Sequence, residues 1–268
     1  MDLTINGRGA RVLAVNGNDE TRAFGIAAGT NTAIKSFAIK SLAIKNGRAT
    51  GIGGGIYNTG TLALSRSTVS ANAATTYIGS DGGVDGGIYN NTGAPRLINS
   101  TISTNTTNGR GGGILNGGSP GVPVLPTNTI IAGNTAGIHP DASGTFSSQG
   151  YNLIGNTSGS AGWGSSDLLN SNPLLGPLQN NGGPTNTHAL RTGSPAINTV
   201  PRATNGCGTD ITTDQRGLKR PQGSNCDTGS FEKKKTRGRQ GGDFKERGRN
   251  ASGTRAPALL VAPIHPIT

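Results

Sequence analysis

Charge and aromatic rings are scarce in this chain: 14% of its residues are Asp, Glu, Lys or Arg and 4% are Phe, Trp or Tyr, against about 25% charged in ordinary globular domains. Leu and Glu are also few, while Gly, Asn, Ser and Thr abound. That balance disfavours helices, since glycine loses entropy and short polar side chains compete for backbone hydrogen bonds. An ordinary helical or α/β enzyme domain is therefore excluded. Collagen is excluded as well, because the 46 glycines follow no strict Gly-X-Y period. No run of about 18 apolar residues encodes a transmembrane segment. Met1-Asp2-Leu3-Thr4 opens directly on a strand-like pattern, without the look of a signal peptide.

There are two cysteines, Cys207 and Cys226, with no Cys-x-x-Cys pair or nearby histidine, so zinc and other metals are not expected. In an oxidising compartment the two would pair, for a loop-closure gain of roughly 3 kcal/mol; otherwise they are free thiols. The formal net charge is +11 but unevenly placed: nine of the 24 Lys/Arg and two of the 13 acids fall in residues 233–268. The body is nearly neutral and the basic character belongs to the tail.

What the chain does have is internal repetition. Gly53-Gly54-Gly55-Ile56-Tyr57-Asn58 returns as Gly86-Gly87-Ile88-Tyr89-Asn90 and as Gly111-Gly112-Gly113-Ile114-Leu115-Asn116. A second unit, Ser67-Thr68-Val69-Ser70-Ala71-Asn72, returns as Ser100-Thr101-Ile102-Ser103-Thr104-Asn105, as Thr129-Ile130-Ile131-Ala132-Gly133-Asn134, and more weakly as Tyr151-Asn152-Leu153-Ile154-Gly155-Asn156. The apolar positions are few and alternate with polar ones, which marks short strands. Short strands broken by Gly and Asn at this period predict an all-β, right-handed parallel β-helix solenoid over residues 1–186. Inward Ile, Val and Leu would stack between turns, and Gly pairs would serve the corners. Asn72, Asn105, Asn134 and Asn156 are the expected asparagine ladder, bonding neighbouring turns; alternatively these asparagines simply mark surface turns. Residues 187–232, which carry both cysteines, read as a C-terminal capping module. Residues 233–268 read as a disordered, basic, low-complexity tail.

These units resemble the repeats of chlamydial polymorphic outer membrane proteins and, more closely, bacterial right-handed parallel β-helix surface proteins. The later segments Gly150-Tyr151-Asn152-Leu153-Ile154-Gly155-Asn156, Asn181-Gly182-Gly183-Pro184-Thr185-Asn186-Thr187-His188-Ala189-Leu190, Gly193-Ser194-Pro195-Ala196-Ile197-Asn198, Thr213-Asp214-Gln215-Arg216-Gly217 and Arg220-Pro221-Gln222-Gly223, closing on Cys226-Asp227-Thr228-Gly229-Ser230-Phe231-Glu232, are similar to the choice-of-anchor Q domain that often ends such proteins. The likeness spans residues 3–232. It implies export and surface display with adhesion, and transfers no active site. Members usually begin with a signal peptide and a Cys-Ser-Leu-Arg-Glu-Ala segment, so the resemblance implies that this chain is truncated at its N-terminus. Asn198 stands where the family commonly has Asp, and Ala142 where it often has Cys.

β-Helices also host polysaccharide lyases and glycosidases, whose acid–base chemistry needs paired carboxylates. Asp81 and Asp85 are a close acidic pair in a Gly-rich loop of the repeats. A lyase would add calcium and an arginine base, for which Arg66 and Arg110 are candidates; otherwise no cofactor is expected. Asp210, Asp214, Arg216 and Arg220 read as a salt-bridge cluster pinning the C-terminal module. His139 and His188 are read as turn or surface residues and not as members of a nucleophilic triad. Trp163 would fold against the last turns or platform a sugar, and Tyr57 and Tyr89 would stack on each other. Asn156-Thr157-Ser158 fits a glycosylation acceptor, but the bacterial resemblance argues against its use.

The expected function is non-catalytic display or adhesion at the cell surface or outside the cell, with glycans or proteins as partners. Nucleic acid is disfavoured because Phe244 is the one aromatic residue in the basic tail. An uncovered first turn would self-associate through its strand edges. The alternatives are a secreted lyase or glycosidase using Asp81 and Asp85, and a nonfunctional fragment.

Overall fold

The computed structural model describes residues 2–7, 14–26, 36–75, 85–118 and 121–235. These residues contain strands and turns but no helix, and they belong to one compact unit, Met1–Lys235. The chain winds as a parallel β-solenoid. Its first sheet stacks Asp2–Asn6, Ser36–Lys40, Leu62–Ser65, Arg96–Ile98 and Leu125–Thr127. The second stacks Ala14–Asn16, Ala43–Lys45, Thr68–Ser70, Thr101–Ser103, Ile130–Ile131, Leu153–Ile154 and Leu168–Leu169. The third runs from Phe24–Ile26 through Ile56–Asn58, Ile88–Asn90, Ile114–Asn116 and Ala142–Thr145 to Ser160–Ala161. A short fourth sheet, Arg48–Thr50, Ala73–Thr75 and Thr106–Thr107, bridges the second and third in the middle turns.

Register explains the repeats. Ile44, Val69, Ile102, Ile131 and Ile154 are successive partners in the second sheet, and Ile56, Ile88, Ile114 and Ala142 in the third. All nine are at most 1% exposed and belong to one apolar core. Each buried aliphatic side chain contributes about 1.5–3 kcal/mol, so the core is built by repetition of a few β-branched residues suited to strands.

The corners follow from backbone geometry. Between the first and second sheets, Ser41, Arg66, Asn99, Asn128 and Tyr151 all take positive φ, from 45° to 57°. In the Gly-Gly corners the requirement is mainly space: a Cβ on Gly87 would lie 2.3 Å from the Gly113 carbonyl oxygen, and one on Gly113 2.4 Å from that of Asp141. Phe146 and Trp163 close the far end of the core, stacked at 4.6 Å between ring centroids. The Trp163 Nε1–H donates to Ser160 Oγ at 3.0 Å.

The C-terminal segment, expected as a capping module, packs on the solenoid. It runs along the outer flank of the second sheet. Thr68 Oγ1 donates to Gln215 Oε1 at 2.7 Å, the backbone N–H of Ser230 donates to Thr101 Oγ1 at 3.1 Å, and the Thr228 hydroxyl donates to the Tyr151 carbonyl at 2.8 Å. A hairpin of Leu175–Gln179 with Thr187–Leu190 starts this segment, so the paired strands straddle the 186/187 position.

Replacing Ile102 by Ala should destabilise the protein by about 2–5 kcal/mol, and by Val about 1 kcal/mol. Urea unfolding of both variants checks this, and equal small losses would mean that the column is not a packed core.

Candidate binding cleft

The polar columns come first, because they set the wall on which the cleft stands. Asn72 donates its side-chain amide to Asn105 Oδ1 at 2.8 Å, and Asn105 donates to Asn134 Oδ1 at 2.9 Å. The same oxygens accept the backbone N–H groups of Asn72 and Asn105, while the second amide protons go back to the Ile44 and Val69 carbonyls. Each buried amide is thus fully bonded, as its desolvation requires.

Asn156 does not continue this ladder. Ile131 pairs with Ile154, so the position facing Asn134 is Thr157, and Asn156 falls one residue short. Asp141 fills the slot instead: its Oδ1 accepts both the backbone and side-chain N–H of Asn134, each at 2.9 Å. In earlier turns Gly55, Gly87 and Gly113 occupy the corresponding strand position, where a Cβ would meet the ladder asparagine at 2.7–3.1 Å. A carboxylate accepts and has nothing left to donate, so it ends the column without an orphaned amide. Asn156 Oδ1 caps the Ser158 N–H at 2.8 Å.

Two further columns escaped the sequence reading. Asn58, Asn90 and Asn116 form a second ladder at 2.7 and 2.8 Å, ending on the Thr145 carbonyl; these asparagines close the repeated Gly-Gly-Ile units and were legible there. In a third, Leu42, Ser67, Ser100, Thr129 and Asn152 each donate a backbone N–H to the next turn's Ser67, Ser100, Thr129, Asn152 or Asp167 side chain. Again an aspartate comes last.

Between the corner after the second sheet and the hairpin lies a cleft of about 850 Å³, within the range of small-ligand sites. Ala132, Gly133 and Gly155 leave its floor nearly free of side chains, and Pro173, Leu175 and Leu178 form an apolar wall. Asp141, His188 and Arg191 are its ionisable groups. Asp141 is buried, which raises its pKa against the bonds from Asn134 and the Asn156 backbone.

His188 has a partner that sequence spacing did not show. Its Nε2 lies 2.9 Å from Ser70 Oγ, and its Nδ1 lies 2.7 Å from the Gly176 carbonyl. A carbonyl only accepts, so Nδ1 carries the proton and the Ser70 hydroxyl donates to Nε2. Burial lowers the His188 pKa and keeps the ring neutral. Ser70 is fully buried beneath the hairpin, so this pair fastens the hairpin to the solenoid and offers no exposed nucleophile.

Asp85 is also fully buried, and neither carboxylate oxygen has a hydrogen-bond partner. The nearest N–H groups, those of Gly87 and Ile88, are engaged to the Gly112 and Gly113 carbonyls. Desolvation therefore raises its pKa well above 3.8. Asp81 lies outside the described residues, as does the tail beyond Lys235. Arg66 sits at another corner, where it donates to Thr213 Oγ1 at 2.8 Å. His139 packs its ring over Gly159, and Tyr57 and Tyr89 stack at 5.7 Å.

In the flanking segment Cys207 and Cys226 form a disulfide with a Cα–Cα distance of 5.9 Å. The charge cluster differs in membership from expectation. Arg216 pairs with Asp214 at 2.7 Å and stacks over Phe231, and Arg220 pairs with Glu232 at 2.8 Å. Asp210 is exposed and stands outside both pairs; Glu232, which ends the quoted Cys226–Glu232 string, takes the place expected for it. Among the described residues no three His, Cys, Asp or Glu side chains gather as a metal site, and no helix is long and apolar enough to cross a membrane. The chain matches no protein-family model, no curated protein and no solved structure.

Asn105→Ala should cost about 3 kcal/mol, because it leaves the Asn72 amide buried without its acceptor, whereas Asn156→Ala should stay within about 0.5 kcal/mol. Chemical denaturation of the two variants checks the ladder's membership.

The pH dependence has two opposing parts. Burial, then Glu232, raises Asp227 from 3.8 to about 6. The native state thus keeps a proton that the unfolded chain has released, and this contribution is full below 3.8 and lost as pH rises through 6. For His188 the native pKa is lowered, so its neutral form stabilises above 6.5 and that contribution is lost as pH falls below 6.5. Comparing wild type with Asp227→Asn isolates the first: the difference should move by about 2 kcal/mol in favour of wild type from pH 7 to pH 4. Denaturation midpoints across that range measure it, and a constant difference would refute the assignment.

Proposed function

We propose that this chain is a non-catalytic binding β-helix of an exported, surface-displayed protein, with the cleft beside the hairpin as its glycan-binding site. One observation carries the choice of binding over chemistry. The two buried ionisable groups at the cleft are already committed, Asp141 to Asn134 and His188 to Ser70 and Gly176. Acid–base catalysis needs a group free to exchange its proton with substrate; adhesion needs only shape and hydrogen-bonding groups on a rigid support. A stack of in-register turns is such a support. The resemblance of the repeats and of the C-terminal string to bacterial surface β-helices supports export and a bacterial setting.

The lyase or glycosidase alternative rests on Asp85, whose raised pKa suits a general acid. Its complete burial keeps it from a polymeric substrate.

The test is incubation of the full chain with a panel of neutral and acidic polysaccharides, with and without calcium. Both retention on the immobilised glycan and newly released reducing or unsaturated ends are read. Retention without product is expected. Turnover that disappears in Asp85→Asn would replace the binding function by the enzymatic one.

A further inference from the structure

We infer that the cleft is selective for acidic saccharides, with Arg191 receiving a carboxylate of the bound sugar; this rests on the glycan-binding function proposed above. Charge at the cleft is asymmetric. Arg191 is exposed at its edge, and its guanidinium forms no hydrogen bond or ion pair with a described residue. The acid lining the same space, Asp141, is buried and bonded to the Asn134 amide, so the charge that a ligand entering the cleft meets exposed is that of Arg191.

A second observation adds to this excess. Lys233 reaches back to the residue after Arg191, its Nζ donating to Thr192 Oγ1 at 3.1 Å. Its backbone N–H is held by Asp227 Oδ2 at 2.6 Å, which keeps the start of the Lys233-Lys234-Lys235 run beside Thr192, next in sequence to the cleft residue Arg191. Of the acids nearest to that run in sequence, Glu232 is neutralised by Arg220, while Asp227 bonds the Asn198 and Lys233 N–H groups and stands as one negative charge against the three lysines. The exposed charge next to Arg191 is thus net positive, that of the lysines outweighing Asp227.

The rest of the site suits a sugar ring better than a nucleic acid. The floor of Ala132, Gly133 and Gly155 lets a flat ring approach the backbone, and no aromatic side chain lines the cleft to stack a base. A guanidinium fork matches a carboxylate through two parallel hydrogen bonds, and exposed lysines add long-range attraction that salt weakens.

The experiment compares an oligogalacturonate with its methyl ester, which keeps the rings and removes the charge, by calorimetric titration of the full chain. We expect the ester to bind at least tenfold more weakly. Arg191→Gln should bring the acid down to the ester's affinity and leave thermal unfolding unchanged, because the side chain has no internal partner to lose. Equal affinity for acid and ester would overturn the selectivity while leaving glycan binding intact. Undiminished acid binding by Arg191→Gln would overturn the site. Single-stranded DNA binding as tightly as the oligogalacturonate, with the same dependence on Arg191, would overturn the saccharide class. Silence towards every glycan, neutral ones included, would remove the proposed function itself.

Discussion

Parallel strands stacked in register impose one condition on everything else in this protein: whatever occupies a position in one turn must fit the same position in the turns above and below. The spacing between strands is about 4.8 Å, close enough for like side chains to touch. Aliphatic residues meet that condition by simple contact. Amides meet it by directional bonding, each asparagine accepting from the turn before and donating to the turn after. The condition also reaches the glycines, since the space a Cβ would fill at Gly87 or Gly113 is already held by the ladder amide of Asn105 or Asn134.

A directional column needs a defined end. The ladder from Asn72 ends in Asp141, and the column from Ser67 ends in Asp167. The apolar column ends in the Phe146–Trp163 stack. All three ends lie towards the C-terminal side of the solenoid, in residues that precede the hairpin. The segment after them packs along the flank, where it covers the hydroxyl-bearing outer face of the second sheet.

That flank packing creates the cleft. His188 ties the hairpin to Ser70 at one point, while the side-chain-poor corner at Ala132, Gly133 and Gly155 leaves room beside it. The residue that ends the ladder, Asp141, also lines the cleft, already bonded to Asn134. A rigid wall without a free acid suits the binding function proposed above, with Arg191 exposed at its edge.

Periodicity by itself determined the solenoid, the inward Ile and Val columns and most of one asparagine ladder, because a repeated local pattern has one repeated environment. The second ladder carries the same period, since Asn58, Asn90 and Asn116 each close a Gly-Gly-Ile unit. Only the tertiary structure decided where register breaks. Asn156 looks like a ladder residue in sequence, yet pairing of Ile131 with Ile154 puts it one position off and Asp141 in its place. Likewise Ser70 with His188, and Arg220 with Glu232, join residues that no repeat relates. Contacts within the stack are set by a period that the chain carries along its length. Contacts between the stack and its flank depend on where a non-repeating segment comes to rest, which no period encodes.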